Sequence, residues 1–183
     1  MIKNRHSIRL KHFDYSSTGY YFVTICTKNR ECLLGNVIDG KMILNEYGKI
    51  VEEILMLLSN RFQIKLNTHQ IMPNHIHMMM IIERKNIVGV SFMKPETMTI
   101  SKSNRHMGLM NQTPTLGLMI RYLKSKSTYE IHKHGFNKPI WQRNYYEHII
   151  RDENDFNKIN EYIVNNPERW DRDKNNPINI KND

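Results

Sequence analysis

Residues 70–82 read QIMPNHIHMMMII, from Gln70 to Ile82, and this stretch decides how the chain is laid out. Apolar residues occupy both period-2 faces, the pattern of a central strand buried on two sides rather than one at a sheet edge. Inside it stand His75 and His77. At i and i+2 on a strand they project from one face, roughly 7 Å apart along the chain, while Ile76 points the other way. A buried neutral imidazole needs a partner, so the pair is either hydrogen-bonded within the core or grips one divalent cation. The spacing leaves both open, since nine histidines supply roughly 0.4 such H-x-H matches by chance. A second match, His132-Lys133-His134, falls near a predicted helix end, where i and i+2 do not share a face, and reads as solvated surface.

The flanking sequence supplies partners for this strand. Tyr20–Thr27 (YYFVTICT) is β-branched and aromatic and reads as a strand. Val37-Ile38 and Lys41–Leu44 bracket Asp39-Gly40, a hairpin turn. A helix of about fifteen residues follows, with Asn45 as N-cap and Ile50, Ile54, Leu57 and Leu58 at helical spacing. Gln63–Glu83 holds one or two strands. Asn86–Gln112 has no periodicity and reads as a functional loop or a disordered connection over 86–112. Pro114 then suits the first position of a helix that runs to about His132 through Leu116, Met119, Ile120 and Leu123, and Gly135 suits its end. Trp141–Arg151 reads as a strand. Asp152 caps a last helix from Glu153 to about Asn165, closed by Pro167. Beyond Trp170 the chain is charged and Asn-rich, so residues 171–183 are expected to be disordered, with 1–170 forming one domain. Strands alternating with helices, and no Gly-rich loop after any strand, predict an α+β domain with helices packed on one small, mainly antiparallel sheet. The absence of GxGxxG and GxxxxGK[ST] argues against a nucleotide cofactor.

Length and charge agree with this reading. At 183 residues and 21.9 kDa the chain can bury a real core without staples. The longest apolar runs are five residues, Ile54–Leu58 and Met78–Ile82, so no membrane span is expected. The basic start, MIKNRHSIRLKHF, lacks the apolar segment of a secretory leader. Cys26 and Cys32 fit neither a disulfide framework nor a zinc ribbon, and two reduced thiols in a cytoplasmic protein is the simpler reading. The net charge of +9 is unevenly placed: residues 1–30 and 84–145 carry +5 and +9, whereas 31–83 and 146–183 carry −2 and −3. Positive charge concentrated in this way points to a polyanion, and a nucleoid-associated location follows from it.

The last predicted helix buries Phe156, Ile159 and Ile163 in one stripe, and at about 100° per residue Tyr162 and Asn166 lie together on its flank. A tyrosine there packs its ring and keeps its hydroxyl at a cleft, in most proteins with no further role.

MPNHIHMMM, LGLMIRYLKSKSTYEI and WQRNYYEHIIRDENDFNKINEYIVNNPERW, in this order, resemble the single-tyrosine HUH transposases of insertion sequences. The similarity runs from about Tyr20 to Trp170 and is closer to the REP-associated tyrosine transposases. It implies a ferredoxin-like, RRM-like sheet carrying the histidines, with the tyrosine helix packed across it. His75 and His77 match the metal pair and Tyr162 the nucleophile. Asn166 stands where the insertion-sequence members use Gln as a third ligand. The implied activity is nicking and rejoining of single-stranded DNA that bears a hairpin or palindromic repeat, through a phosphotyrosine intermediate. Insertion-sequence members are similar to one another in being homodimers; the domesticated group need not be.

That chemistry suits the residues. Mg²⁺ or Mn²⁺ favours phosphate oxygens, and two imidazoles alone would favour softer metals, so an oxygen ligand such as Asn166 or the DNA itself is expected. Phenol is a modest nucleophile, and phenolate a fair leaving group, so the strand can be rejoined without ATP. Arg121, Lys124, Lys126 and Arg143, with Arg5, Arg9 and Lys11 near the N-terminus, are candidates for DNA contact, and His148 and Arg151 for flanking the site. Tyr145 and Tyr146 are rival nucleophiles, stacking platforms for bases, or core aromatics. A second reading of the same residues is a non-catalytic, RRM-like nucleic-acid-binding module.

Overall fold

A computed structural model describes residues 18–82 and 115–179 of the chain. The expectations for 86–112, for Pro114 and for Arg5, Arg9 and Lys11 lie outside the described residues.

Among the described residues, six strands and three helices follow in the order β1 (Gly19–Cys26), β2 (Gly35–Ile38), β3 (Lys41–Leu44), α1 (Glu46–Phe62), β4 (Lys65–Met72), β5 (His75–Ile82), α2 (Leu116–Lys133), β6 (Tyr146–Ile150) and α3 (Glu153–Val164). Four strands make one sheet in the order β4-β5-β1-β6, every neighbouring pair antiparallel. With the β2–β3 hairpin set aside, the connectivity is β-α-β-β-α-β, in which α1 links β1 to β4 across β5, and α2 links β5 to β6 across β1. That is the ferredoxin-like arrangement.

The strand containing the histidines is central, as its two apolar faces require. Ile76, Met78, Met80 and Ile82 join Tyr21, Val23 and Ile25 of β1 beneath α1 and α2. The opposite face presents His75, His77 and Met79 together with Phe22, Thr24 and Cys26, and α3 covers it through Ile163, Phe156 and Ile159. Burying each large apolar side chain contributes about 1.5–3 kcal/mol, which makes this two-sided strand the least replaceable element.

Local signals place the helices. Asn45 caps α1 by accepting from Gly48 N at 3.0 Å and anchors it by donating to Leu33 O at 2.9 Å. Gly48 is required for close approach: a Cβ there would lie 2.1 Å from Leu34 O. The β2–β3 turn has positive φ at Asp39 (50°) and Gly40 (69°), the backbone that an Asp-Gly hairpin favours. Thr115 caps α2, and Asp152 caps α3 by accepting from Asp155 N at 2.8 Å.

Two expectations are corrected. The strand predicted over Trp141–Arg151 pairs with β1 only from Tyr146, and Trp141 makes a single bridge to Thr27. The Lys124 ammonium takes the carbonyls of Gln142 (2.8 Å) and Asn144 (2.9 Å), which bends this segment away from the ladder. The disorder expected from residue 171 does not hold for 171–179, which form two short 3-10 turns with Asp173, Asn175 and Asn176 buried. The composition read as solvating is here a set of turn formers. Asp173 O accepts from Asn176 N and from Asn179 Nδ2, both at 3.0 Å, and Asn176 Oδ1 accepts from Ile178 N at 3.2 Å.

Candidate active site

The sheet face under α3 gathers its polar groups at one end. His75 and His77 are fully enclosed, with their Nε2 atoms 2.9 Å apart. Their outer nitrogens are both engaged. Asn74 donates through Nδ2 to Arg30 O (2.9 Å) and to Asn175 O (2.7 Å), which fixes its amide and leaves Oδ1 to accept from His75 Nδ1 at 2.8 Å. Neutral His75 therefore carries its proton on Nδ1 and presents a bare lone pair at Nε2. His77 Nδ1 lies 2.8 Å from Thr24 Oγ1, which can donate or accept, so the His77 tautomer is free to follow what its Nε2 meets.

Burial pushes both imidazoles down, His75 to about 3 and His77 well below its ordinary value. The Arg30 and Lys174 charges reinforce this at His75, and His75 and Lys174 do so at His77. Both rings are neutral at pH 7, the form in which imidazole binds a metal.

α3 brings Tyr162 to the pair. Its hydroxyl is 3.2 Å from His77 Nε2, and its ring sits edge-on to Phe22 at 6.1 Å. Burial, and then the nearby Asp173 carboxylate, push the phenol up to about 12. Asn166, one helical turn on, is 1% exposed and donates through Nδ2 to Asp173 Oδ2 at 2.9 Å. Its Oδ1 is buried with no partner among the described residues.

Asp173 completes the cluster. One ligand atom from each of His75, His77 and Asp173 lies within 4.8 Å of the others, so these three residues could hold a metal ion. Two lone-pair-bearing imidazoles, a carboxylate and an orphaned amide oxygen beside it are a mixed N/O donor set that fits a divalent cation. The His-x-His spacing carries no signal for Asp173, which is 7% exposed in the segment expected to be disordered.

A cavity of about 370 Å³ opens beside the cluster, lined by His77, Tyr162, Thr24 and Cys26 and by Arg30, Lys174, Asn175 and Tyr146 among others. Of the residues predicted for DNA contact, Arg121 and Arg143 are exposed and line a second groove along α2. Lys126 pairs with Glu130, and Lys124 is committed to the backbone carbonyls described above; burial lowers its ammonium to about 8. His148 bonds Asp155 of α3 at 2.7 Å rather than the histidine pair. Arg151 is exposed at the end of β6. Tyr145 packs against the core under α1 and α2, whereas Tyr146 edges the cavity, 6.2 Å from the Phe22 ring.

Fold and site together define a ferredoxin-like domain with a histidine pair, a carboxylate and a tyrosine assembled on the sheet face that α3 covers. The chain belongs to the same family as an uncharacterized protein of Haemophilus influenzae (strain Rd), with 40% identity over 176 residues that cover 94% of this chain and 93% of that one. It is also similar, at 24% identity over 164 residues (84% of this chain, 73% of the other), to a second protein of that organism described provisionally as a REP-associated tyrosine transposase. The fold is that of a REP-associated tyrosine transposase solved bound to a REP hairpin: TM-score 0.57 and 18% identity, covering 91% of this chain and 74% of that one. No family model matches the chain. The resemblance drawn from the three motifs thus holds in sequence and in fold. No helix among the described residues is long and apolar enough to cross a membrane.

Proposed function

We propose that this protein is a transposase-type nuclease, metal-dependent, that nicks and rejoins hairpin-bearing single-stranded DNA through Tyr162. The observation that carries the reading is the 3.2 Å approach of the Tyr162 hydroxyl to His77, which puts the one candidate nucleophile of α3 at the mouth of the metal-competent cluster. The likeness to a transposase solved with a hairpin supports a hairpin as the DNA.

His75, His77 and Asp173 would hold the ion, with Asn166 Oδ1 as a fourth donor; oxygen donors in this number suit Mg²⁺ or Mn²⁺. A bound divalent cation supplies neutralisation and polarisation of the scissile phosphate. The chain's own part is positional. Asn74 and Thr24 hold the imidazole rings in place, and Phe22 and Ile163 fix the Tyr162 ring at the cleft. The Tyr162 oxygen, after losing its proton, attacks phosphorus and forms a phosphotyrosine bond. The P–O bond to the adjoining deoxyribose breaks, and that oxygen leaves as a hydroxyl after protonation. Attack by a DNA hydroxyl on the phosphotyrosine reverses the step and releases Tyr162. With its phenol pushed up to about 12, Tyr162 is protonated at pH 7, and a cation beside it would favour the ionised form that attacks.

The test is an SDS-stable protein–DNA adduct with labelled hairpin DNA. It is expected with Mn²⁺, absent in EDTA, and absent for Tyr162→Phe. A Tyr162→Phe protein that still forms the adduct contradicts the assignment of the nucleophile; wild-type binding with no adduct in any metal leaves the RRM-like binding module as the correct reading.

A further inference from the structure

The cavity beside Tyr162 has a cationic side that the transfer chemistry leaves unused. Arg30 stands on it in a left-handed backbone conformation (φ 58°), directly after Asn29 in another (φ 55°). Two consecutive non-glycine residues in that region are strained and persist only where the surroundings impose them. The surroundings are visible. Arg30 N donates to Thr27 O at 3.2 Å, Arg30 O accepts from Asn74, and Arg30 Nη1 donates to Lys174 O at 2.9 Å. The strained turn is thus clamped to the histidine strand and to the segment that carries Asp173.

Lys174 is exposed, and its ammonium has no ion pair among the described residues. Next to it Asn175, only 3% exposed, lines the same cavity with a buried Nδ2 that finds no acceptor among the described residues. A cavity lined by two cations and by a residue with an orphaned donor is the complement of an oxyanion. Tyr146, at 56% exposure, lines the same cavity and is an aromatic side chain within reach of a base there. A phosphate that arrives with a base attached satisfies the cations and the ring together; a free phosphate satisfies only the cations.

We propose that Arg30, Lys174 and the Asn175 side-chain amide form a docking site for one phosphate of a single-stranded DNA backbone, with the adjoining base laid on Tyr146. This rests on the reading of the cleft as the place where DNA is cut, and it adds the residues that seat the strand there. Lys174 and Asn175 follow Asp173 directly, so the segment that completes the metal-competent cluster also carries two of the three phosphate donors.

The experiment is equilibrium binding of short single-stranded oligothymidylates to the full-length protein in EDTA, where no cleavage competes. Each phosphate is replaced in turn by an uncharged methylphosphonate. One linkage is expected to matter more than the rest, its neutralisation weakening wild-type binding about tenfold, with no such loss in Lys174→Gln or Arg30→Gln. The salt slope of each variant should fall by about 0.7, as for one lost phosphate contact on a single strand. Arg30→Lys should recover part of the loss, and Lys174→Gln, on an exposed side chain, decides the matter even if Arg30→Gln folds poorly. Tyr146→Ala should weaken binding at unchanged slope. Equal losses at every linkage in wild type and variants overturn the site, as does displacement of the oligonucleotide by inorganic phosphate at comparable concentration. If the linkage effect is present and no covalent adduct ever forms, the docking site stands and the nuclease reading falls. If an adduct forms and no linkage effect is seen, the nuclease reading stands and the docking site falls.

Discussion

Tyr162 and His77 are 85 residues apart in the chain, yet the tyrosine hydroxyl lies 3.2 Å from His77 Nε2 and the two rings are 5.0 Å apart. Neither is held by the other. His77 is fixed from beneath by Thr24 across the β1–β5 ladder, and Tyr162 from the side by Phe22 and the α3 stripe. A contact imposed from both sides by the scaffold is available for chemistry.

Asp173 separates a metal centre from a pair of core histidines. Asp173→Asn removes the only carboxylate of the cluster and should weaken Mn²⁺ binding by at least about 10–100-fold, the loss seen even for outer partners of metal sites. In the metal-free protein the same change should lower the Tyr162 phenol, because the Asp173 charge is one cause of its elevation. Calorimetric titration with Mn²⁺ and ultraviolet titration against Tyr162→Phe read the two effects. An unchanged Mn²⁺ affinity would place the ion elsewhere.

Asn74 sets the tautomer of His75. Asn74→Ala removes the acceptor for Nδ1–H, and the ring should then populate both tautomers in the metal-free state. Long-range proton–nitrogen spectra of the imidazole should show the change, and Mn²⁺ affinity should fall about 10–100-fold. A single unaltered tautomer in the variant would remove Asn74 from the site.

Stability should fall on mild acidification. His75 and His77 have folded-state values depressed below the unfolded value near 6.5, so the unfolded chain binds more protons below that pH and the folded state loses ground. Above about pH 6.5 the two states bind alike and the effect vanishes. Below it, His75 alone should cost about 1.4 kcal/mol per pH unit down towards its folded value of about 3. Urea midpoints of the metal-free protein between pH 7 and 4.5 should therefore slope downward, less steeply in His75→Gln. A flat profile would contradict the burial.

Lys124 belongs to the fold. Lys124→Met strips a charged donor from the carbonyls of Gln142 and Asn144, and should cost about 1.5–3 kcal/mol in urea unfolding while leaving the salt slope of DNA binding unchanged. A slope reduced at unchanged stability would return Lys124 to the DNA surface.

Much of this was legible in the chain. Both faces of Gln70–Ile82 being apolar placed the histidines on a central strand; the caps Asn45 and Asp152 and the Asp39-Gly40 turn lay where the elements begin. The stripe of α3 put Tyr162 and Asn166 on one flank. What escaped was long-range and polar. Asp173, Lys174 and Asn175 reach the cleft only because the segment after Trp170 folds back under the β4–β5 turn, held by Asn74 and Arg30. Its Asn and Asp residues look the same in composition whether they solvate a tail or close turns. Lys124 escaped for a related reason: a lysine's charge is readable, but whether it meets a phosphate or the backbone carbonyls of Gln142 and Asn144 is not.

On the proposed mechanism Tyr162 forms the covalent bond to DNA beside the histidine pair. The most direct measurement is mass spectrometric mapping of the peptide that carries the nucleotide after reaction with hairpin DNA and Mn²⁺. The account predicts the nucleotide on Tyr162 alone; finding it on Tyr146 or Tyr145, or on no residue although the hairpin is bound, would contradict it.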